Sequence, residues 1–500
     1  MSNLECLQEF FQDGDAQSER TFISNVFVTP NEYKKIISPR MHQLKVIVGK
    51  KGSGKSAILE YLKQECEQAK IPCISLVPPD FADSALDECK SPATYIKFIY
   101  EKIISAIVRK LGKCAANAVS GAGRRLHKES RMNGADGISV VDILGNSLNL
   151  FCKSYYGIDF QHIFGETIES DVVRKKEDIS SFLEKKDKIC YILLDDIDQI
   201  ADATNSKYID IIWYEILAMA QISKDLMDVY PILTVRKEIW RKFSTNTGNR
   251  DKYDQIRVAA QELMPDRDSM KKILQKRLNV CIEKNDIHAS DSYEPFFENR
   301  ECQLPSSDEK RLWEDYLTTT SVTPRAMVQL IYKLAEAALD VRHERIGNNE
   351  VESVAHAYSK ERVRDLVEEN KVRYNNVKQL IESFAYEKHF LLPSEKMRQH
   401  LKRCEYLRCS QIDGEVIRST DDIIFPLWKF LYNIEFITAR TKDRTQSRDF
   451  SFVPYDEYLV APENWQNMQK YSWEIHPCYR TYLLDYRKAE KNRKGTVNFW

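Results

Sequence analysis

The chain has 500 residues, enough for roughly two to four domains with ample core. Lysine plus arginine number 74 against 75 aspartate plus glutamate, a net charge of −1, which excludes a global pull toward polyanions; any basic surface must be local. Hydrophobic content of 43% and charged content of 30% fit a globular chain with much helix surface. No run approaches about 18 apolar residues, so neither a membrane span nor a membrane partner is expected. The Met1–Glu19 segment is mixed and acidic, unlike a signal peptide. The 12 cysteines are scattered, and Cys73 and Cys190 lie in apolar runs. That pattern predicts free core thiols and a cytoplasmic location, not a disulfide frame. Cys404 and Cys409 come closest to a metal pair, but no second pair or histidine stands at zinc spacing.

In chain order, residues 1–40 lead into Leu44–Val48, a short β-branched strand. Gly49–Ser56 then reads GKKGSGKS, the complete GxxxxGK[ST] spacing, and Ala57–Leu62 continues as a helix. Strand, glycine loop and helix form the context in which this spacing binds phosphate. Gly49, Gly52 and Gly54 let the backbone wrap an anion, with Lys50, Lys51, Ser53 and Ala57 filling the loop and the first helical turn. Lys55 is expected to reach the β/γ-phosphates, and the Ser56 hydroxyl to hold Mg²⁺. The bland alternative is a chance glycine turn.

Ile71–Val77 is a second strand, closed by Pro78-Pro79, and Pro92–Leu111 is a long amphipathic helix. Gly112–Gly137 is polar and glycine-rich and reads as a mobile insertion or a loop. Helical patterning resumes over 138–187. Ile189–Leu194 is an apolar run of the kind buried on both faces of a parallel sheet, and it ends in Asp195-Asp196. Carboxylates at a strand's carboxyl end lie where open α/β sheets bind ligands. Asp195 is assigned to Mg²⁺ and Asp196 to positioning an attacking water. A loop-capping acidic pair is the plain alternative.

Tyr208–Ile222 is an apolar helix, and Val229–Val235 is a buried strand that ends in Arg236. Arg236 is a candidate γ-phosphate sensor, against an exposed arginine at a strand–helix junction. A last strand is expected near Arg257–Ala260, and a helix from Met264-Pro265-Asp266 through Arg277. Residues 321–345 form a long helix with Thr323 as N-cap and Pro324 as its first residue. Arg325, in that first turn, is a candidate phosphate ligand or simply a solvated side chain. Residues 346–388 are charged and helical. Met397–Cys404 and Asp421–Leu431 are helical candidates, and Ile434–Ala439 and Phe450–Val453 are strand-like. Helices followed by a hairpin with a basic tip over 440–448 suggest a winged helix that could touch nucleic-acid phosphate, although Asp421, Asp422 and Asp443 dilute the charge.

GKKGSGKS, LDDID, the TVR strand end and TPRAM, in that order, resemble the STAND/AAA+ branch of P-loop ATPases. The chain is similar, further, to bacterial P-loop ATPases of mobile-element and phage-conflict settings. KGSGKSA at 51–57, TPRAMVQ at 323–329, AYSKERVRDL at 357–366 and EIHPCYRTYL at 474–483 carry that similarity, with Asp15-Ala16 and Phe27 upstream. The resemblance implies ATP and Mg²⁺ as cofactors. Lys55, Ser56, Asp195 and Asp196 are its hydrolytic residues, Arg236 its sensor and Arg325 its lid arginine. It implies an α/β P-loop sheet with helices on both faces over 1–262, a helical lid over 263–388 and a winged-helix-like α+β domain over 389–500. An ATP-driven switch with an effector protein partner is the leading expectation, and a DNA-remodelling ATPase the alternative. A homo-oligomer stands among the partner readings, and the oligomeric state is left open by the sequence. No arginine finger can be named, and Gln17 stands where that set often has glutamate.

Overall fold

A computed structural model describes residues 2–38, 44–76, 91–116, 121–132, 170–197, 206–245, 250–305, 309–407, 411–412, 415–417, 423–442, 450–453, 455–456 and 458–497. Two compact units emerge, Asp15–Ser269 on one hand and Met1–Gly14 with Met270–Trp500 on the other. The N-terminal helix α1 (Asn3–Phe10), closed by a Ser2–Glu5 capping box, belongs to the latter.

The Asp15–Ser269 unit is built on a parallel sheet of five strands in the order β2-β3-β4-β1-β5. They are β1 (Lys45–Gly49), β2 (Cys73–Leu76), β3 (Cys190–Leu194), β4 (Val229–Arg236) and β5 (Ala260–Leu263). β1 and β3 are buried along their whole length, as their continuous apolar sequences require. Alternation sends Val46, Val48, Ile192, Leu194, Leu233 and Val235 into one core layer. That layer is covered by α3 (Pro92–Cys114), α5 (Ser170–Lys186) and α6 (Ser206–Asp225). Ile47, Tyr191, Leu193 and Ile232 enter the opposite layer, under α2 (Lys55–Ala69). This is an α/β P-loop NTPase sheet with helices on both faces. Pro231 is tolerated inside β4 because β4 pairs with β3 alone at that point; its pairing with β1 begins at Ile232.

The loop-like reading of 112–137 does not hold where the chain is described. α3 runs through Cys114, and Gly121–Met132 is a helix, α4. Leu126 is fully buried, and Arg125 Nε donates to both carboxylate oxygens of Asp178 on α5, at 2.8 and 2.9 Å. At Gly112 a Cβ would stand 2.5 Å from the Leu126 carbonyl, so this glycine permits a close helix crossing rather than a turn. Two boundaries also shift. α8 (Arg250–Arg257) takes the start of the expected last strand, which forms three residues later as β5. The strand expected from Ile434 begins at Ile437. Pro78-Pro79, Gly134, Gly137, residues 138–169, Asp421, Asp422 and the tip at 443–449 lie outside the described residues.

α7 (Lys237–Thr245) follows β4, and α9 (Arg267–Lys284) leads into the other unit. There α1 packs on α10 (Pro324–Asp340), whose N-cap Thr323 accepts the Ala326 amide, as the sequence predicts. α11 (Asn348–Asn370) packs on α15 (Arg480–Val497). Between them come α12 (Val377–Ser383), α13 (Ser394–Arg403) and α14 (Ile424–Asn433). A four-stranded antiparallel sheet in the order β8-β7-β9-β6 completes the unit, from β6 (Leu391–Pro393), β7 (Ile437–Lys442), β8 (Phe450–Phe452) and β9 (Ser472–Ile475). Among the described residues, no helix is long and apolar enough to cross a membrane.

Candidate nucleotide site

The loop 49–56 links the end of β1 to the start of α2, and its geometry demands the glycines present. Gly52 and Gly54 have φ of +79° and +100°, where a Cβ is disfavoured. A Cβ on Gly49 would meet Ser53 Oγ at 2.6 Å and the Leu263 carbonyl at 3.2 Å. Gly54 is the N-cap of α2 and has no side chain to cap it, so no side chain caps the first-turn amides. An uncapped helix N-terminus behind a glycine loop is an anion seat. Lys50 is half-buried and Lys51 exposed, and Gly52, Ser56 and Ala57 are half-buried at the loop's surface.

Lys55 is only 5% exposed. Its ammonium donates to the carbonyls of Gly49 (3.0 Å) and Lys50 (2.9 Å), which fixes the charge inside the loop. Burial of a cation is costly unless it is well partnered. Here the loop's own carbonyls hold it where a phosphate would complete its shell. Ser53 is also buried, with Oγ against Gly49.

The strand order brings the other expected residues to the same sheet end. β4 lies between β1 and β3, so Arg236 pairs in register with Gly49, and Leu233 with Leu194, one residue before Asp195. Thr234, fully buried, donates its hydroxyl to Asp195 Oδ1 at 2.7 Å. The Asp196 amide donates to Thr234 Oγ1 (2.9 Å) and to Asp195 Oδ1 (3.0 Å). Burial, and then the neighbouring Asp196 charge, push the Asp195 carboxyl above the usual range, while Thr234, Ser56 and the Asp196 amide pull it down. A serine hydroxyl near a half-buried carboxylate is a hard-oxygen donor set suited to Mg²⁺. Asp196 itself sits at φ +46°, an uncommon left-handed conformation that aspartate tolerates better than most residues. Strain at such a position clusters at functional sites.

The sequence marked the TVR strand end, with its polar residue and Arg236, as a contact to the γ-phosphate. It did not show that this polar residue, Thr234, ties the two aspartates together. It also missed Lys237, which forms an ion pair with Glu262 on β5, the strand beside the loop. Burial lowers the Lys237 pKa, and Glu262 opposes that shift.

Arg325 is carried by the other unit. Its Nε donates to the Gly14 carbonyl at 3.1 Å, and its stem lies against Gly14, which has φ +67°. Its neighbour Gln329 donates to the Asp13 carbonyl. The resembling C-terminal motifs meet one another in that unit. Tyr358 donates to the Ala326 carbonyl, and the Ser359 hydroxyl accepts the Tyr482 amide. Glu474 holds Arg440 and Arg480.

Residues 268–367 match the family model of the FunZ-associated C-terminal helical domain. The chain is 22% identical over 488 residues to the "Putative transposon gamma-delta 80.3 kDa protein" of Escherichia coli (strain K12), covering 94% of this chain and 66% of that protein. The chain thus spans just under two thirds of the length of this curated relative. Among solved structures it is similar to Cdc6p from Pyrobaculum aerophilum, with a TM-score of 0.35, 11% identity and coverage of 94% of this chain and 98% of that one. It is also similar to the Aeropyrum pernix ORC2 protein in its ADPNP–ADP complexes, with a TM-score of 0.38, 10% identity and coverage of 95% and 94%. At these scores the site's assignment rests on its own geometry.

Proposed function

We propose that the chain is a Mg²⁺-dependent ATPase that works as a nucleotide-controlled switch. The observation that carries this is the Lys55 ammonium pinned inside an uncapped glycine loop, at the sheet end that also carries the Asp195–Thr234 hydrogen bond. The loop amides and Lys55 take the β/γ-phosphates, with Arg236 beside Gly49 as the sensor of the terminal phosphate. Ser56 and Asp195 would hold Mg²⁺, which when bound screens phosphate charge. Thr234 sets the Asp195 carboxylate and, through the Asp196 amide, the turn that aims Asp196. Asp196 holds the attacking water in line.

A nucleotide switch needs a reader, and the second unit is the candidate. Its β6–α13–α14–β7 layout, followed by β8 and β9 on either side of β7, supports a winged-helix-like reading. The curated relative's name, a putative transposon protein, supports a mobile-element setting. A conflict role, an effector partner and a cytoplasmic location complete the reading as parts of the same proposal. The test is steady-state hydrolysis by the purified chain and by Lys55→Ala, with Mg²⁺ or EDTA. Mg²⁺-dependent phosphate release that Lys55→Ala abolishes is the expected result. Equal release by both proteins overturns the assignment.

A further inference from the structure

We propose that the exposed face of α13 (Ser394–Arg403), with the tyrosines beside it, binds the phosphate backbone of nucleic acid. The helix is amphipathic. Met397 and Leu401 are fully buried and anchor it, while Lys396, Arg398, Lys402 and Arg403 are exposed. Glu395 is the one acidic side chain on the helix, and it accepts from Gln469. Two large aromatic rings stand in solvent at the same end, Tyr386 at 56% and Tyr406 at 72% exposure. They are near enough for an ionised Tyr386 to oppose ionisation of Tyr406.

The patch is held in place from behind. Glu387 accepts from His400 Nδ1 at 2.8 Å and from Arg403, which ties the turn bearing Tyr386 to α13. Tyr374 and Asn376 both donate to the Leu407 carbonyl, at 2.6 and 3.2 Å, which fixes the residue after Tyr406. Arg398 lies over the Trp465 ring at 5.0 Å. Side chains ordered in this way lose less entropy on binding.

Cations spread over an exposed helix face, beside exposed aromatic rings, match a polyanion that also offers flat apolar faces, which is nucleic acid. A membrane surface would ask for apolar anchors, and those of α13 point inward. The alternative helix, α14, has no exposed residue, so it cannot enter a groove. Its aromatic side chains are committed to packing, with Trp428 against Trp473 at 4.9 Å. Of these two helices α13 is the one with a charged face to offer, and the contact is to backbone and exposed bases rather than to base edges.

The test is fluorescence anisotropy of the full chain with a labelled single strand of about 30 nucleotides, the same sequence as a duplex, and vesicles rich in phosphatidylserine. The expected result is salt-sensitive binding to oligonucleotide, weakened at least tenfold in Lys396→Glu/Lys402→Glu, with a salt slope smaller by about two. Tyr386→Ser/Tyr406→Ser should lose about fivefold or more on the single strand and little on the duplex. Circular dichroism checks folding, and Lys396→Gln/Lys402→Gln replaces the first variant if it is unfolded. Unchanged binding in the lysine variants, or binding to vesicles without binding to either oligonucleotide, overturns the proposal.

Discussion

Thr234→Val isolates the link between the two aspartates. Valine keeps the shape and burial of threonine but removes the hydroxyl. Thr234 is fully buried and makes two bonds that valine cannot, one donated to Asp195 at 2.7 Å and one accepted from the Asp196 amide at 2.9 Å. A hydrogen bond to a charged group contributes about 1.5–3 kcal/mol. The Asp196 amide keeps Asp195 Oδ1 as a partner at 3.0 Å, so its loss is small. The net effect falls on the orientation of the two carboxylates. It corresponds to roughly a 10- to 100-fold slower hydrolysis step, at about tenfold per 1.4 kcal/mol. ATP affinity should change little, because no phosphate ligand is removed. The assay is single-turnover hydrolysis at saturating Mg²⁺, with ATP affinity from calorimetry. Thr234→Ser restores the hydroxyl and should recover most of the rate. If Thr234→Val hydrolyses ATP within about threefold of wild type, or Thr234→Ser is as slow as valine, the reasoning fails.

Four further outcomes are expected. Lys55→Ala should lose ATP binding by a few kcal/mol in calorimetry, since it removes a charged phosphate contact. Asp196→Asn should bind ATP normally and hydrolyse it slowly, while Asp195→Asn should weaken Mg²⁺ dependence; Mg²⁺ titration with single-turnover kinetics separates them. Burial pushes Glu215 up to about 8 from 4.5, so the folded chain holds a proton there that the unfolded chain has released. Stability is therefore lost as pH rises from about 4.5 to about 8, and Glu215→Gln should flatten that slope and add on the order of a few kcal/mol at pH 8 by denaturant titration; an unchanged slope would refute it. Limited trypsin digestion should spare Arg125, held by Asp178 within α4, and early cleavage at that bond would contradict the helix.

The nucleotide loop was legible because its chemistry is local. Positive φ at Gly52 and Gly54 and the helix that starts at Lys55 all follow from eight consecutive residues. β1, β3 and β4 were legible from continuous apolar runs for the same reason. Thr234 was not, because its role exists only once β4 lies between β1 and β3, and strand order is not written in any one strand. α4 was misread because Gly121, Gly123 and a charged run look like a loop. Gly112 shows what such glycines can do instead, which is to let two helices touch. At the C-terminus α14 reads as a helix, yet the burial of its Trp428 face depends on partners far along the chain, such as Trp465 and Trp473.

The Glu474 cluster changes what the C-terminal motif can be used for. One carboxylate in β9 is shared by Arg440 from β7 and Arg480 from α15, and Arg480 Nε also donates to the Ile475 carbonyl at 3.0 Å. His476 caps the short turn between them, and Cys478 and Tyr479 are buried beneath it. EIHPCYR is therefore a corner brace, joining two strands to a helix through a single acid. Chains that carry this string should share the corner, whatever their loops do with nucleotides. As a search signature it reports architecture, and the chemistry must be sought at Gly49–Ser56.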